Sequence, residues 1–304
     1  MYTTLISAQQ LQTLLKSGQP VMVFDCSFEL MTPGAGDQQY QQTHIAGAVR
    51  ADLERHLSAK SPVQTQPVEA TVNPSTDSGR MNIAASGGRH PLPAREAFAA
   101  WLSRVGFANT MQAVVYDRQG VNYCGRLWWL LKWVGHEAVA VLDGGLQAWQ
   151  AKGGATQSGL GAPALPTEFV LTEARTELTS TETVANQLGR PTQTLIDARC
   201  AARFCGEVEP LDPVAGHIPG ALNRPFNLNL DAQGQFKSAT QLRSEFETLL
   251  AGRDPATVVH HCGSGVSAVP NLIAMEVAGL GRSALYAGSW SEWCSDPARP
   301  MVRG

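Results

Sequence analysis

Apolar residues along this chain fall into two kinds of run. Short ones, such as Pro20–Phe24, Ala113–Tyr116, Ala138–Leu142 and Val258–Val259 with the following His260-His261, are strand-sized and rich in β-branched residues. Longer ones, Ala94–Val105, Gly125–Gly135, Ala239–Leu250 and Val269–Leu280, have helical spacing or length. Strands alternating with helices predict an α/β fold with mostly parallel sheets covered on both faces. In such folds ligands bind beyond the carboxyl ends of the strands, and Cys262 stands at one such end.

The pattern occurs twice. Val23-Phe24-Asp25-Cys26 followed by His44-Ile45-Ala46-Gly47-Ala48 recurs as Leu195-Ile196-Asp197-Ala198 followed by His217-Ile218-Pro219-Gly220-Ala221. Val114–Asp117 recurs as Val258–His261, and Leu142–Trp149 as Tyr286–Trp293. Four landmarks in one order mean two copies of one unit. The later landmarks recur at a shorter spacing, so the first copy carries extra residues. They fall at 58–89, a stretch rich in Pro, Ser, Thr, Gln and Gly that reads as a flexible insertion. The expected organisation is a first domain at 1–155, a linker at 156–170 and a second domain at 171–304.

Length and composition agree. The 304 residues suffice for two domains, and 43% hydrophobic with 16% charged residues suits globular cores. A net charge of −3 offers no electrostatic reason to expect nucleic acid or an anionic membrane as partner. No run reaches the ~20 apolar residues of a membrane span, and the first residues do not resemble a signal peptide. The six cysteines form no CxxC pair, which argues against a zinc ribbon or a dithiol centre. Reduced thiols and a cytoplasmic location are the expectation.

The chemistry concentrates in His261-Cys262-Gly263-Ser264-Gly265-Val266-Ser267-Ala268. An apolar strand ends, a thiol follows, and a Gly/Ser loop leads into a helix. Loop N–H groups and the helix N-terminus both favour negative charge on that sulfur. Only the second copy has this thiol; the repeat spacing sets Arg118 opposite Cys262 and makes Cys124 a packing residue. His44 with His217 and Asp25 with Asp197 recur in both copies, so they are structural. Trp293 reads as core and Trp290 as a possible cleft wall.

These motifs together resemble the rhodanese superfamily: tandem domains, the repeated His-Ile-x-Gly-Ala, Gly288-x-Trp290-x-x-Trp293 and the Cys-Gly-Ser-Gly-Val loop. The loop is most similar to that of 3-mercaptopyruvate sulfurtransferases. The resemblance implies two tandem rhodanese-like α/β domains and a persulfide formed on Cys262, which takes sulfur from a small anionic donor and passes it to cyanide, a small thiol or a protein thiol. It implies no metal and no organic cofactor. Gly263, Gly265, Val266 and Ser267 would cradle the persulfide, and Arg203 would grip the donor's carboxylate or sulfonate. Ser264, His90 and Glu54 match a proposed serine–histidine–acid relay. Asp212 stands where such enzymes carry a second arginine.

Three other readings compete. A thiosulfate-preferring enzyme would carry basic residues after the cysteine, and none is present. A cysteine phosphatase needs an arginine where Ala268 stands. A non-catalytic module that carries sulfur or recruits a partner is the third; the intact cysteine loop argues against a dead module but leaves a protein acceptor open.

Overall fold

The computed structural model describes residues 1–32, 34–59, 84–161 and 164–304. The first domain comprises β1 (Leu5–Ile6), α1 (Ala8–Lys16), β2 (Val21–Asp25), α2 (Ala35–Gln42), β3 (His44–Ile45), β4 (Val49–Arg50), α3 (Arg95–Arg104), β5 (Gln112–Tyr116), α4 (Cys124–Trp133), β6 (Val139–Leu142), α5 (Gly145–Ala151) and β7 (Thr156–Gln157). The second comprises β8 (Glu177–Leu178), α6 (Thr181–Asn186), β9 (Thr194–Asp197), α7 (Ala201–Phe204), β10 (Leu222–Asn223), α8 (Ala239–Leu250), β11 (Val258–His261), α9 (Val269–Val277), β12 (Ala284–Leu285) and α10 (Ser289–Trp293).

Each domain has a five-stranded parallel sheet, ordered β1-β6-β5-β2-β4 in the first and β8-β12-β11-β9-β10 in the second. The orders match strand for strand, as a duplicated sequence requires. The central strands β5 and β11 are buried along their whole length, because helices cover both faces. A short antiparallel pair, β3 with β7, ties the residues after α5 back to the first domain.

The recurrent histidines serve packing, as expected. His44 stacks on Tyr40 and bonds its carbonyl at 2.6 Å; His217 stacks on Phe204 and bonds its carbonyl at 2.8 Å. Trp290 and Trp293 are both fully buried, so Trp290 is core rather than a cleft wall.

The domains meet where the two loop-following helices touch. Every residue of α4 is buried, as are the first seven of α9. Gly125 allows the approach: a Cβ there would sit 3.3 Å from the Val269 side chain. Ser267 bonds Asn122 across the junction at 2.6 Å. One hydrophobic core runs through both domains, so the cleft is built on a firm joint.

Most of the 58–89 insertion, residues 60–83, lies outside the described residues. Its trailing end is described. Ala84 bridges Pro93, and Arg89 reaches the second domain through its backbone N–H to Ser291 Oγ at 3.0 Å. In the 156–170 segment, Thr167 bonds Ser103 and Phe107, while Phe169 is buried beside Phe107.

Candidate active site

Strand β11 delivers Cys262 to the carboxyl end of the second sheet, where it is 2% exposed. Its N–H donates to Ser289 Oγ at 3.0 Å, and its carbonyl accepts from Trp290 N–H at 3.0 Å. The backbone of Cys262 is thus pinned from the β12–α10 turn. Gly265 takes a positive φ of 73°, and a Cβ there would collide with the Ala287 carbonyl, so the tight loop needs glycine. Val266 is buried beneath the loop, and Ser267 is spent on the contact to Asn122.

Ser264 and His90 come together across the domain boundary. Ser264 Oγ lies 2.7 Å from His90 Nδ1, and both residues are about nine-tenths buried or more. Burial, reinforced by Arg126 and Arg89, lowers the His90 pKa to about 3, so the imidazole is neutral at ordinary pH. A neutral imidazole can accept the serine proton. Glu54 does not join them. Asp52 accepts from the N–H groups of Glu54 and Arg55, which closes a turn that points Glu54 outward. Among the described residues its carboxylate has no hydrogen bond or ion pair.

The cations are more numerous than Arg203 alone. Arg203 binds Glu209 through Nε and Nη2, at 3.1 and 2.7 Å, and Asp212 at 3.1 Å. Arg89 binds the other Asp212 oxygen at 2.5 Å. Both guanidiniums hang over the Cys262 loop: a Cβ on Gly263 would meet Arg89 Nη2 at 3.2 Å and Arg203 Nη1 at 3.4 Å. Arg199 pairs with Asp197 at 2.7 Å and lies over the Trp290 ring, bracing the domain as expected.

Two further arginines, unmarked in the sequence, lie against the Cys262 loop. Arg89 directly precedes His90 and was hidden in the stretch read as insertion. Arg126 is wholly buried in α4 and donates to Leu57 O at 3.3 Å, His90 O at 2.8 Å and Gly265 O at 3.1 Å. One guanidinium thereby fastens both stems of the insertion to the Cys262 loop. Its charge is opposed by burial and favoured by Cys262. A lone arginine in so apolar a helix was the available signal.

The histidines beside the thiol are not cations. His260 is held at a pKa of about 3 by burial and faces the Met275 sulfur at 3.1 Å. Burial also lowers His261, 3.9 Å from Asp197.

The first domain corrects one expectation. Tyr116 pairs with Asp25 as His261 pairs with Asp197, so Asp117, not Arg118, occupies the place of Cys262. Its carboxylate accepts from the N–H groups of Gln119, Val121, Tyr123 and Cys124, at 2.8 to 3.0 Å. Arg118 turns away to Ser27 and the Gln39 and Thr43 carbonyls. Cys124 is buried packing, its thiol pushed up by burial. Among the described residues no three His, Cys, Asp or Glu side chains are placed to hold a metal ion, and no helix is long and apolar enough to cross a membrane.

Tandem α/β domains with one thiol loop and one acidic loop define a protein class, and comparison with known proteins agrees. The rhodanese-like domain family matches residues 7–152 and 180–296. A Pseudomonas aeruginosa protein named "Probable 3-mercaptopyruvate sulfurtransferase" is 43% identical over 301 residues, 99% of this chain and 98% of that one. "Thiosulfate/3-mercaptopyruvate sulfurtransferase 2" of Arabidopsis thaliana is 32% identical over 289 residues, 87% of this chain and 76% of that one. The crystal structure of SseA from Escherichia coli superposes with a TM-score of 0.74 at 29% identity, covering 96% of this chain and all of that one. The chain belongs to the rhodanese family. Within it, this is a tandem-domain sulfurtransferase.

Proposed function

We propose that the protein transfers sulfur from 3-mercaptopyruvate to a thiophilic acceptor through a persulfide on Cys262. The observation that carries this reading is the convergence of Arg89 and Arg203 on Gly263, with the Ser264–His90 pair beside them. Two guanidiniums suit a carboxylate, and a serine hydroxyl on a neutral histidine suits the adjacent keto oxygen. The Cys262 sulfur attacks the donor sulfur, and an S–S bond forms as the donor's C–S bond breaks. The electron pair moves onto the pyruvate enolate, whose oxygen Ser264 stabilises until carbon takes up a proton. The loop N–H groups of 263–267 hold the resulting persulfide anion. Cyanide, a small thiol or a protein thiol then attacks the outer sulfur and restores the Cys262 thiolate. Donor binding and both sulfur steps need only side chains and backbone amides of this chain. The cysteines, all free, suit a reducing cytoplasm.

Thiosulfate is the second reading, because the arginine pair also suits a sulfonate and several relatives' names include it. The deciding experiment measures transfer to cyanide from each donor, with Cys262→Ser as control and intact mass read after donor treatment. Faster turnover with mercaptopyruvate and a gain of one sulfur atom on the wild type alone are expected. Faster turnover with thiosulfate would reassign the donor. Equal rates for wild type and Cys262→Ser would end the persulfide reading.

A further inference from the structure

The two arginines that face the nucleophile loop are already holding a carboxylate. Asp212 gives one oxygen to Arg89 of the first domain and the other to Arg203 of the second. Its side chain is only 3% exposed. This is the two-oxygen, two-guanidinium geometry that a donor carboxylate would take. Asp212 sits on the segment between Gly206 and Gly216, both at positive φ, which contains no strand and no helix. Glu209 holds Arg203 separately, through Nε and Nη2, so Arg203 stays in place without Asp212.

We propose that Asp212 is a built-in competitor for the donor carboxylate, and therefore the residue that sets donor affinity. It closes an ion-pair bridge between the domains over the loop that carries Cys262, and the donor enters by displacing it. The bridge favours donors that replace both contacts at once and penalises those that engage only one arginine. It also keeps the half-buried Arg89 guanidinium paired while the site waits. The inference rests on the donor reading above.

The test compares wild type with Asp212→Asn and Asp212→Ala. Glu207→Gln, on the exposed part of the same segment, controls for the change in charge. Pyruvate, a keto-carboxylate without sulfur, is the binding probe. Both Asp212 variants should lower the pyruvate Kd and the mercaptopyruvate KM about tenfold, as follows when an internal ligand holding the site roughly nine-tenths of the time is removed. The kcat should hold or rise, and Glu207→Gln should change neither constant. A rise in Kd and KM in both variants would make Asp212 a strut for the arginines and overturn the proposal. Alkylation of Cys262 keeps this proposal apart from the donor reading. If wild type neither turns over mercaptopyruvate nor binds pyruvate, the donor reading fails. The rate with iodoacetate relative to iodoacetamide still decides the role of Asp212. An increase in the Asp212 variants alone supports the competitor, and an unchanged ratio overturns it.

Discussion

The loop after β5 and the loop after β11 occupy the same place in their domains and hold different side chains. Gly120 and Gly265 take φ of 66° and 73° at matching positions, and each loop feeds a helix of the interdomain joint. In the first loop Asp117 folds its carboxylate back and takes up four N–H groups. In the second the side chain is a thiol, which leaves the amides for an anion one bond further out. The lesson is that a backbone cradle of this kind holds an anion in the first copy, which supports the same use proposed for the second. The first copy fills it with its own carboxylate, and on the proposed mechanism the second keeps it for a transient sulfur anion.

The sharpest way to break this contrast is to make the second loop resemble the first. Cys262→Asp should abolish transfer, a loss of at least ~10³-fold for a missing covalent nucleophile, while thermal unfolding shows a stable fold. Collapse of the fold would show that the second loop does not share the first loop's tolerance for a fixed carboxylate.

A smaller effect separates the loop from its cross-domain partner. Ser264→Ala and His90→Ala should each lower kcat for mercaptopyruvate roughly 10²-fold, the usual scale of a lost proton-transfer group. Neither should matter much for thiosulfate, which has no keto oxygen. Equal losses with both donors would reduce the pair to packing. Because Glu54 points outward, Glu54→Gln should leave both rates unchanged.

Asp117→Ala probes the first copy. It leaves buried N–H groups without an acceptor, a cost of about 1–3 kcal/mol for each one left unsatisfied, read as a melting temperature several degrees lower. Activity per folded molecule should persist. An unchanged melting temperature would mean water satisfies the cradle as well as the carboxylate does.

The mildest test is pH. His90 and His260, held at about 3, and His56, held at about 4, are neutral in the folded state. Unfolded histidine titrates near 6.5, so below that pH the unfolded chain binds more protons than the folded one. Stability is therefore full above about pH 6.5 and falls as pH drops toward 4 and 3. His260→Leu should flatten the fall in melting temperature between pH 6 and 4, and His90→Asn should flatten it while slowing mercaptopyruvate turnover.

Much was legible in the chain before folding. The duplicated landmarks, the short β-branched runs and the helical runs determined two α/β units, because periodicity and repeat order are local properties. Cys262 and its glycines were legible for the same reason: a thiol after a buried strand and before a tight turn has few other uses. The Ser264–His90 pair could be named only through resemblance, since the two residues are far apart in the chain and meet only when the domains dock.

What only the tertiary structure decided lay in side chains that act across the domain boundary. Strand register replaced Arg118 with Asp117, because hydrogen-bond pairing counts residues more strictly than motif spacing does. A turn closed on Asp52 sent Glu54 to solvent. Arg89 and Arg126 became part of the site because distant carbonyls and carboxylates converge on them. Asp212, in sequence an acid where a base was expected, proved to be the bridge between two arginines from different domains. The local pattern of a sequence specifies elements and reactive loops, but charge partners chosen from opposite domains are fixed only by packing.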